Sequence, residues 1–212
     1  MMLVGFIWAA LAPLMLVALI ALLAWQLRRA RMRWAVVIAA ATVLVPVVGI
    51  WTYDHADFMS VCEGEGKPVV FRRDKADGIF LNSETSNSFG MRYLHEEGFL
   101  WMEAPSVYTR GTWVRYERGP KGEITTTENV PLTARYEVRE DFSRPHTHTD
   151  LTQVKVIERQ TGELLATAGA VHFSGGTMKW VLGTWGSRSC PTTRTDPDDF
   201  NAYYHLVKNT LR

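Results

Sequence analysis

Residues 27–34 read Leu27-Arg28-Arg29-Ala30-Arg31-Met32-Arg33-Trp34, and an uncharged run flanks this segment on each side. Leu3 to Leu27 is 25 residues without Asp, Glu, Lys or Arg, and Trp34 to Tyr53 is another 20. At ~1.5 Å per helical residue, each run is long enough to cross a hydrocarbon core of ~30 Å. Four arginines at the middle of a membrane would each cost roughly 2.5–3.5 kcal/mol. The Arg-rich link therefore belongs in water, and the sequence predicts two spans, 3–27 and 34–53, rather than one. The positive-inside rule makes Arg28, Arg29, Arg31 and Arg33 the topology determinants and puts 28–33 in the cytoplasm. The N-terminus and everything after Tyr53 then lie on the opposite side.

The tryptophans agree with two spans. Trp8 and Trp25 stand 17 residues apart, as do Trp34 and Trp51. In a helix each pair is separated by ~26 Å, close to the spacing of the two interfacial belts. A cleaved signal peptide is the competing reading, but Gly49-Ile50-Trp51 supplies no small-x-small cleavage site. Met59-Ser60-Val61 before Cys62 is a poor lipobox. The pairs Gly5/Ala9 and Ala35/Ala39 permit close helix approach. Neither span carries an ionisable residue at its centre, which argues against a proton relay or transporter core. The hairpin reads as an anchor or a subunit contact.

Whole-chain composition conceals this division. The protein has 212 residues, a formal net charge of +1 and 47% hydrophobic residues. These values exclude a disordered chain and a strongly basic nucleic-acid binder, so no nucleic-acid partner is expected. Residues 1–53 contain no Asp, Glu or Lys, whereas residues 54–212 hold all 22 acids and 23 − 4 = 19 bases, a net charge of −3.

Residues 54–212 suffice for one α+β domain with its own core. Short apolar runs at 68–73 and 98–102 read as strands, and so does the half-polar 112–118. The segments 133–141, 151–159, 163–173 and 178–184 follow with turn punctuation between them, which suits an antiparallel meander. Gly119-Pro120-Lys121-Gly122, Gln160-Thr161-Gly162 and Ser174-Gly175-Gly176 are the turn signals. After Asp196-Pro197, the residues Phe200, Tyr203, Tyr204, Val207 and Leu211 recur at helical spacing. They predict one amphipathic helix of about 14 residues, packed on a shallow sheet surface at 166–170. A second, short helix is expected around 95–97. Asn82 to Ser88 reads as a polar loop. A small closed barrel is the alternative architecture.

Cys62 and Cys190 are the only cysteines. In an oxidising compartment they are expected to pair, fastening the segment past the anchor to the segment before the last helix. A loop of that length corresponds to about 5 kcal/mol on the chain-entropy account.

Candidate chemistry is sparse. Arg144-Pro145-His146-Thr147-His148-Thr149-Asp150 sets two histidines at i and i+2, so His146 and His148 are candidate metal ligands, with Glu140, Asp141 or His172 as further donors. The competing reading is a polar hairpin turn. Glu63, Glu65, Glu96, Glu97 and Glu103 show no catalytic arrangement and read as solvated surface. Ser174-Gly175-Gly176 and Gly186-Ser187 do not make a nucleophile elbow, and there is no phosphate loop or dinucleotide fingerprint. No cofactor and no catalytic residue is expected. Trp101, Trp113, Tyr116, Tyr136, Trp180 and Trp185 read as core or as the lining of a ligand groove.

Two stretches carry a likeness: Cys62-Glu63-Gly64-Glu65-Gly66-Lys67 through Ala76-Asp77-Gly78-Ile79, and Ile157-Glu158-Arg159-Gln160-Thr161-Gly162-Glu163-Leu164-Leu165-Ala166, with Gly183 and Ser189-Cys190 downstream. The chain resembles uncharacterised proteobacterial envelope proteins that are membrane-anchored or exported. The resemblance implies an envelope location and nothing about mechanism. The expected protein is an anchored, non-catalytic periplasmic domain in the bacterial inner membrane. It meets the lipid bilayer and a protein partner or a second copy. The alternatives are an envelope hydrolase or metal-dependent enzyme using His146 and His148, and a lipid- or glycan-binding domain.

Overall fold

The computed structural model describes residues 2–31, 33–88, 90–179, 186–194 and 196–212. The chain is α+β. Two helices open it, α1 (Met2–Arg29) and α2 (Ala35–Glu63). Among the described residues, α2 is long and apolar enough to cross a membrane, with a mean hydropathy of 2.3 over its best 18-residue window. The helix does not stop where its apolar run stops. It continues past Tyr53 through Asp54, Asp57 and Phe58 to Glu63.

The strands are β1 (Val69–Val70), β2 (Gly78–Leu81), β3 (Trp101–Pro105), β4 (Trp113–Arg118), β5 (Ile124–Val130), β6 (Tyr136–His146), β7 (Thr149–Glu158), β8 (Leu164–Phe173) and β9 (Arg188–Cys190). Helices α3 (Ser83–Ser88) and α4 (Arg92–His95) lie between β2 and β3, and α5 (Pro197–Tyr204) and α6 (Leu206–Leu211) close the chain. The sheet runs β1-β8-β7-β6-β2-β3-β4-β5, with β9 beside β8. It is mixed: β2 is parallel to both β3 and β6, while β3–β4 and β4–β5 are antiparallel.

By internal contacts the chain divides into two units. The first comprises 1–61, 144–150 and 171–189, and the second 62–143, 151–170 and 190–212. In the first, an aromatic ladder forms along the late turns of α2. Trp51 stacks on His55 at 4.8 Å, and Phe58 and His55 meet Phe173 at 5.6 and 5.9 Å. In the second, Ile79, Leu81, Met102, Val138, Val156 and Leu165 belong to one buried cluster with Leu206, Val207 and Leu211 of α6. Ala166 and Ala168 of β8 are buried in the same cluster. Gly169 is glycine for a steric reason. A Cβ there would lie 2.7 Å from the Glu65 carbonyl, where the Gly169 N–H donates to the Gly66 carbonyl.

Cys62 and Cys190 form a disulfide with Cα atoms 6.1 Å apart, closing a separation of 128 residues. The expected strands at 68–73, 98–102 and 133–141 are shifted or resized as β1, β3 and β6. The one expected at 178–184 lies mostly outside the described residues. Three strands were not signalled: β2, β5 and the three-residue β9. β2 is a fully buried Gly-Ile-Phe-Leu run too short to show a period, as suits a strand flanked by parallel neighbours. β5 is a largely exposed edge with three consecutive threonines, so β-branching rather than alternation forms it.

The polar stretch 82–88 is helical instead of a loop. Asn82 Oδ1 accepts from the Thr85 N–H at 3.0 Å, a side-chain cap that converts a polar run into a helix start.

The expected 14-residue terminal helix is broken at His205 (φ −104°, ψ 20°). A continuous helix would have the Lys208 N–H donate to the Tyr204 carbonyl. Instead Arg92 Nη2 donates to that carbonyl, while the same guanidinium nitrogen pairs with Glu97. The arginine of the Arg92–Glu97 ion pair, 2.7 Å, thus takes over the carbonyl end of one helical hydrogen bond.

Candidate functional site

The two histidines singled out in the sequence sit where β6 turns into β7. His146 ends β6, Thr147 and His148 form the turn, and Thr149 begins β7. Across the turn Arg144 Nε donates to Asp150 Oδ1 at 2.7 Å. Asp54 and Asp57, three residues apart on α2, present both carboxylates to one side of the helix. Asp57 Oδ2 lies 3.6 Å from His146 Nδ1. Asp54 Oδ2 accepts from the Thr177 N–H at 2.7 Å, and the Thr177 hydroxyl lies 3.2 Å from His148 Nε2. Gly176 has φ +68° and lies hard against Asp54, so a side chain there would both strain the backbone and strike the carboxylate.

Together with Tyr53 these groups border an open cleft of about 840 Å³. Several of its polar groups pair with one another, the buried Thr149 hydroxyl has no hydrogen-bond partner, and both His146 and Asp57 are about two-fifths exposed. The arrangement offers hydrogen-bond donors and acceptors to a polar ligand. Among the described residues no three His, Cys, Asp or Glu side chains converge closely enough to hold a metal ion. Glu140, Asp141 and His172 do not join His146 and His148. Asp141 pairs with Lys155 at 2.9 Å, and His172 Nδ1 lies 3.0 Å from Ser189 Oγ. That Ser–His contact is exposed and, among the described residues, no carboxylate orients the ring, so it lacks the third member of a nucleophilic triad.

Among the described residues, the aromatic side chains do not gather in one groove. Tyr136 is buried in the sheet core and donates its hydroxyl to Asp74, and burial with that bond pushes its pKa up to about 12. Trp101 lies flat over Gly78, where a Cβ would collide with the indole, and takes the Arg115 guanidinium 4.6 Å from its ring centre. Trp113 meets Phe80 edge-on at 5.3 Å. Trp180 and Trp185 lie outside the described residues, as does the side chain of Trp8. Trp25 and Trp34 are exposed, and so are Arg28, Arg29, Arg31 and Arg33. Arg31, just past the end of α1, has φ +61°.

Two glutamates read as solvated surface are buried. Glu103, 0% exposed on β3, accepts from Arg115, from the N–H groups of Thr133 and Ala134 at 2.9 and 2.8 Å, and from the Thr133 hydroxyl. Burial alone would raise its pKa, but these donors outweigh it and hold the carboxyl below the usual value. Glu97, 1% exposed, has Arg92 on Oε1 and no side-chain or main-chain donor on Oε2. Its pKa is raised, with burial outweighing Arg92. No sequence signal separates these two from the exposed Glu96, because their donors arrive from other elements. A third cluster has a buried glutamate, Glu158, under two partly exposed arginines. Glu158 takes Arg72 and Arg135, and its pKa is lowered first by Arg72 and then by Arg135.

No known protein family matches the chain, and neither the curated proteins nor the solved structures contain a significant match to it.

Proposed function

We propose that this protein is a membrane-anchored accessory or interaction protein of a bacterial envelope, holding its sheet domain in the periplasm for a protein partner or a second copy. The observation that carries the reading is the join between anchor and domain. One helix, α2, runs from an apolar stretch with no charge into the segment whose Cys62 is clasped to Cys190. A disulfide of this kind persists in an oxidising compartment. The Arg-rich link and the paired tryptophans favour a two-span hairpin with both termini outside the cytoplasm. Buried Ala24, Ala35 and Ala39, against exposed Val36, Val37, Val45 and Val48, suit helices that approach through small residues and face lipid elsewhere. The likeness of the 62–79 and 157–166 segments to envelope proteins points to the same location.

Within this reading the polar cleft of Asp54, Asp57, His146 and His148 is a recognition feature beside the anchor. No positioned nucleophile or acid–base pair accompanies it among the described residues.

Three measurements test the proposal. Reporter fusions at Arg31 and after Tyr53 should lie on opposite sides of the membrane, with the C-terminal domain outside. Thiol labelling of unfolded protein should modify Cys62 and Cys190 only after reduction. Co-purification in mild detergent should return a stoichiometric partner or a homo-oligomer. A cytoplasmic domain with free thiols would overturn the location, and a lone monomer in several detergents would overturn the role.

A further inference from the structure

A second concavity, of about 590 Å³, lies between the 73–75 segment and α6. Its walls carry Arg73, Asp74, Lys75, Lys208, Asn209 and Arg212. The framework is fixed by main-chain bonds: the Asp74 N–H donates to the Thr210 carbonyl at 2.9 Å and the Ala76 N–H to the Leu211 carbonyl at 3.0 Å. The four cations are exposed, and no carboxylate lies within ion-pair distance of any of them among the described residues. The single carboxylate of the groove, Asp74, is already engaged. It accepts from the Tyr136 hydroxyl and the Lys75 N–H and lies 3.6 and 3.8 Å from Arg135 and Arg72. Residues 54–212 as a whole carry net −3, so this local excess of positive charge is set against the domain average.

Compensation of a helix C-terminus accounts for Lys208 and Arg212. It does not account for Arg73 and Lys75, which come from a separate, non-helical segment and complete the other wall. The Arg73 guanidinium and two ammonium groups around one recess, with the Arg212 guanidinium at its margin 5.9 Å from the Phe99 ring centre, suit an anion with several oxygens and more than one charge better than a single carboxylate.

We propose that this groove binds a phosphate monoester or diphosphate group. The group is supplied either by a lipid headgroup or by a soluble phosphate ester.

The test uses the full chain, disulfide intact, in neutral detergent at low salt, titrated calorimetrically with inorganic pyrophosphate. Saturable binding is expected, weakening as salt rises. Lys75→Glu with Lys208→Glu should weaken it at least about tenfold, the loss of one or two charge-assisted hydrogen bonds. Lys75→Arg with Lys208→Arg should stay within about twofold of the parent. Arg110→Glu with Lys121→Glu makes the same change in net charge on exposed loops elsewhere and should leave the affinity unaltered. Circular dichroism verifies that each variant is folded. Equal affinities in the two glutamate variants, or no saturable binding by the parent, would overturn the proposal. A second arm compares micelles doped with phosphatidic acid or with phosphatidylcholine. Competition by phosphatidic acid alone assigns the site to a headgroup, and unchanged pyrophosphate affinity in both assigns it to a soluble ester. The result does not depend on which side of a membrane the domain occupies.

Discussion

Glu103 and Glu97 are six positions apart, both are buried, and each faces an arginine, yet their proton affinities move in opposite directions. Glu103 stands on a central strand, where the main-chain N–H groups of Thr133 and Ala134 are held rigidly against it. Glu97 follows a four-residue helix and shares its arginine with the Tyr204 carbonyl, leaving one oxygen without a hydrogen-bond donor. The difference lies in the number of fixed donors that replace water, since burial is nearly the same. One site is a satisfied ionic joint that anchors the 133–134 segment to β3. The other is an under-satisfied charge whose partner is occupied in bending a helix.

The sharpest way to break this contrast is truncation. Glu103→Ala should destabilise the protein by about 3–5 kcal/mol in urea unfolding, because Arg115 and two main-chain N–H groups lose their acceptor together. Equal costs for Glu103→Ala and Glu97→Ala would show that donor number does not separate the sites. Glu97→Gln should cost clearly less than Glu103→Ala, roughly 1–2 kcal/mol at neutral pH, since the amide oxygen still accepts from Arg92 although the arginine loses its counter-charge. The sign of its pH dependence is the finer test. A carboxyl whose folded pKa is raised holds its proton more tightly in the native state, so wild-type stability falls as pH climbs from about 4 through the raised value. Glu97→Gln removes that fall, and a urea midpoint series between pH 4 and 8 reads it. The smallest effect belongs to the Glu158 cluster. Glu158 and Asp74 have lowered folded pKa values, so their contribution is present above about 4 and disappears as pH drops through the lowered values. Glu158→Gln should flatten the decline in melting temperature between pH 4 and 2, and an unaltered decline would mean the partly exposed pairs are screened.

Much of the architecture was legible from local pattern. The alternation in β7 and β8, the Gly-containing turns at 119–122 and 160–162 and the amphipathic spacing after Asp196 all carry periods that a short window detects. β2 was not legible because four buried residues carry no period, and its two parallel neighbours are supplied by segments on either side of it. β5 lacked apolar alternation. At the cleft, His146 and His148 were visible as a pair, but Thr177 lies about 30 residues away and Asp54 and Asp57 about 90, and nothing local points to them. The same holds for Glu97 and Glu103: a glutamate's surroundings are a tertiary property. The groove at Arg73 and Lys208 joins segments more than 130 residues apart.

The bend at His205 has a consequence for the segment taken alone. Phe200, Tyr203, Tyr204, Val207 and Leu211 follow one uninterrupted helical period, so the local code of 196–212 specifies a straight rod. The kink is imposed by Arg92, paired with Glu97, and both lie more than 100 residues upstream. An excised peptide spanning 196–212 in a helix-promoting solvent should therefore form a single straight helix, without the break the protein contains. Local preference and final conformation disagree at this one place, a small frustration in an otherwise consistent sequence. The terminal segment holds its bent native form only in the company of the β2–β3 connection that carries Arg92.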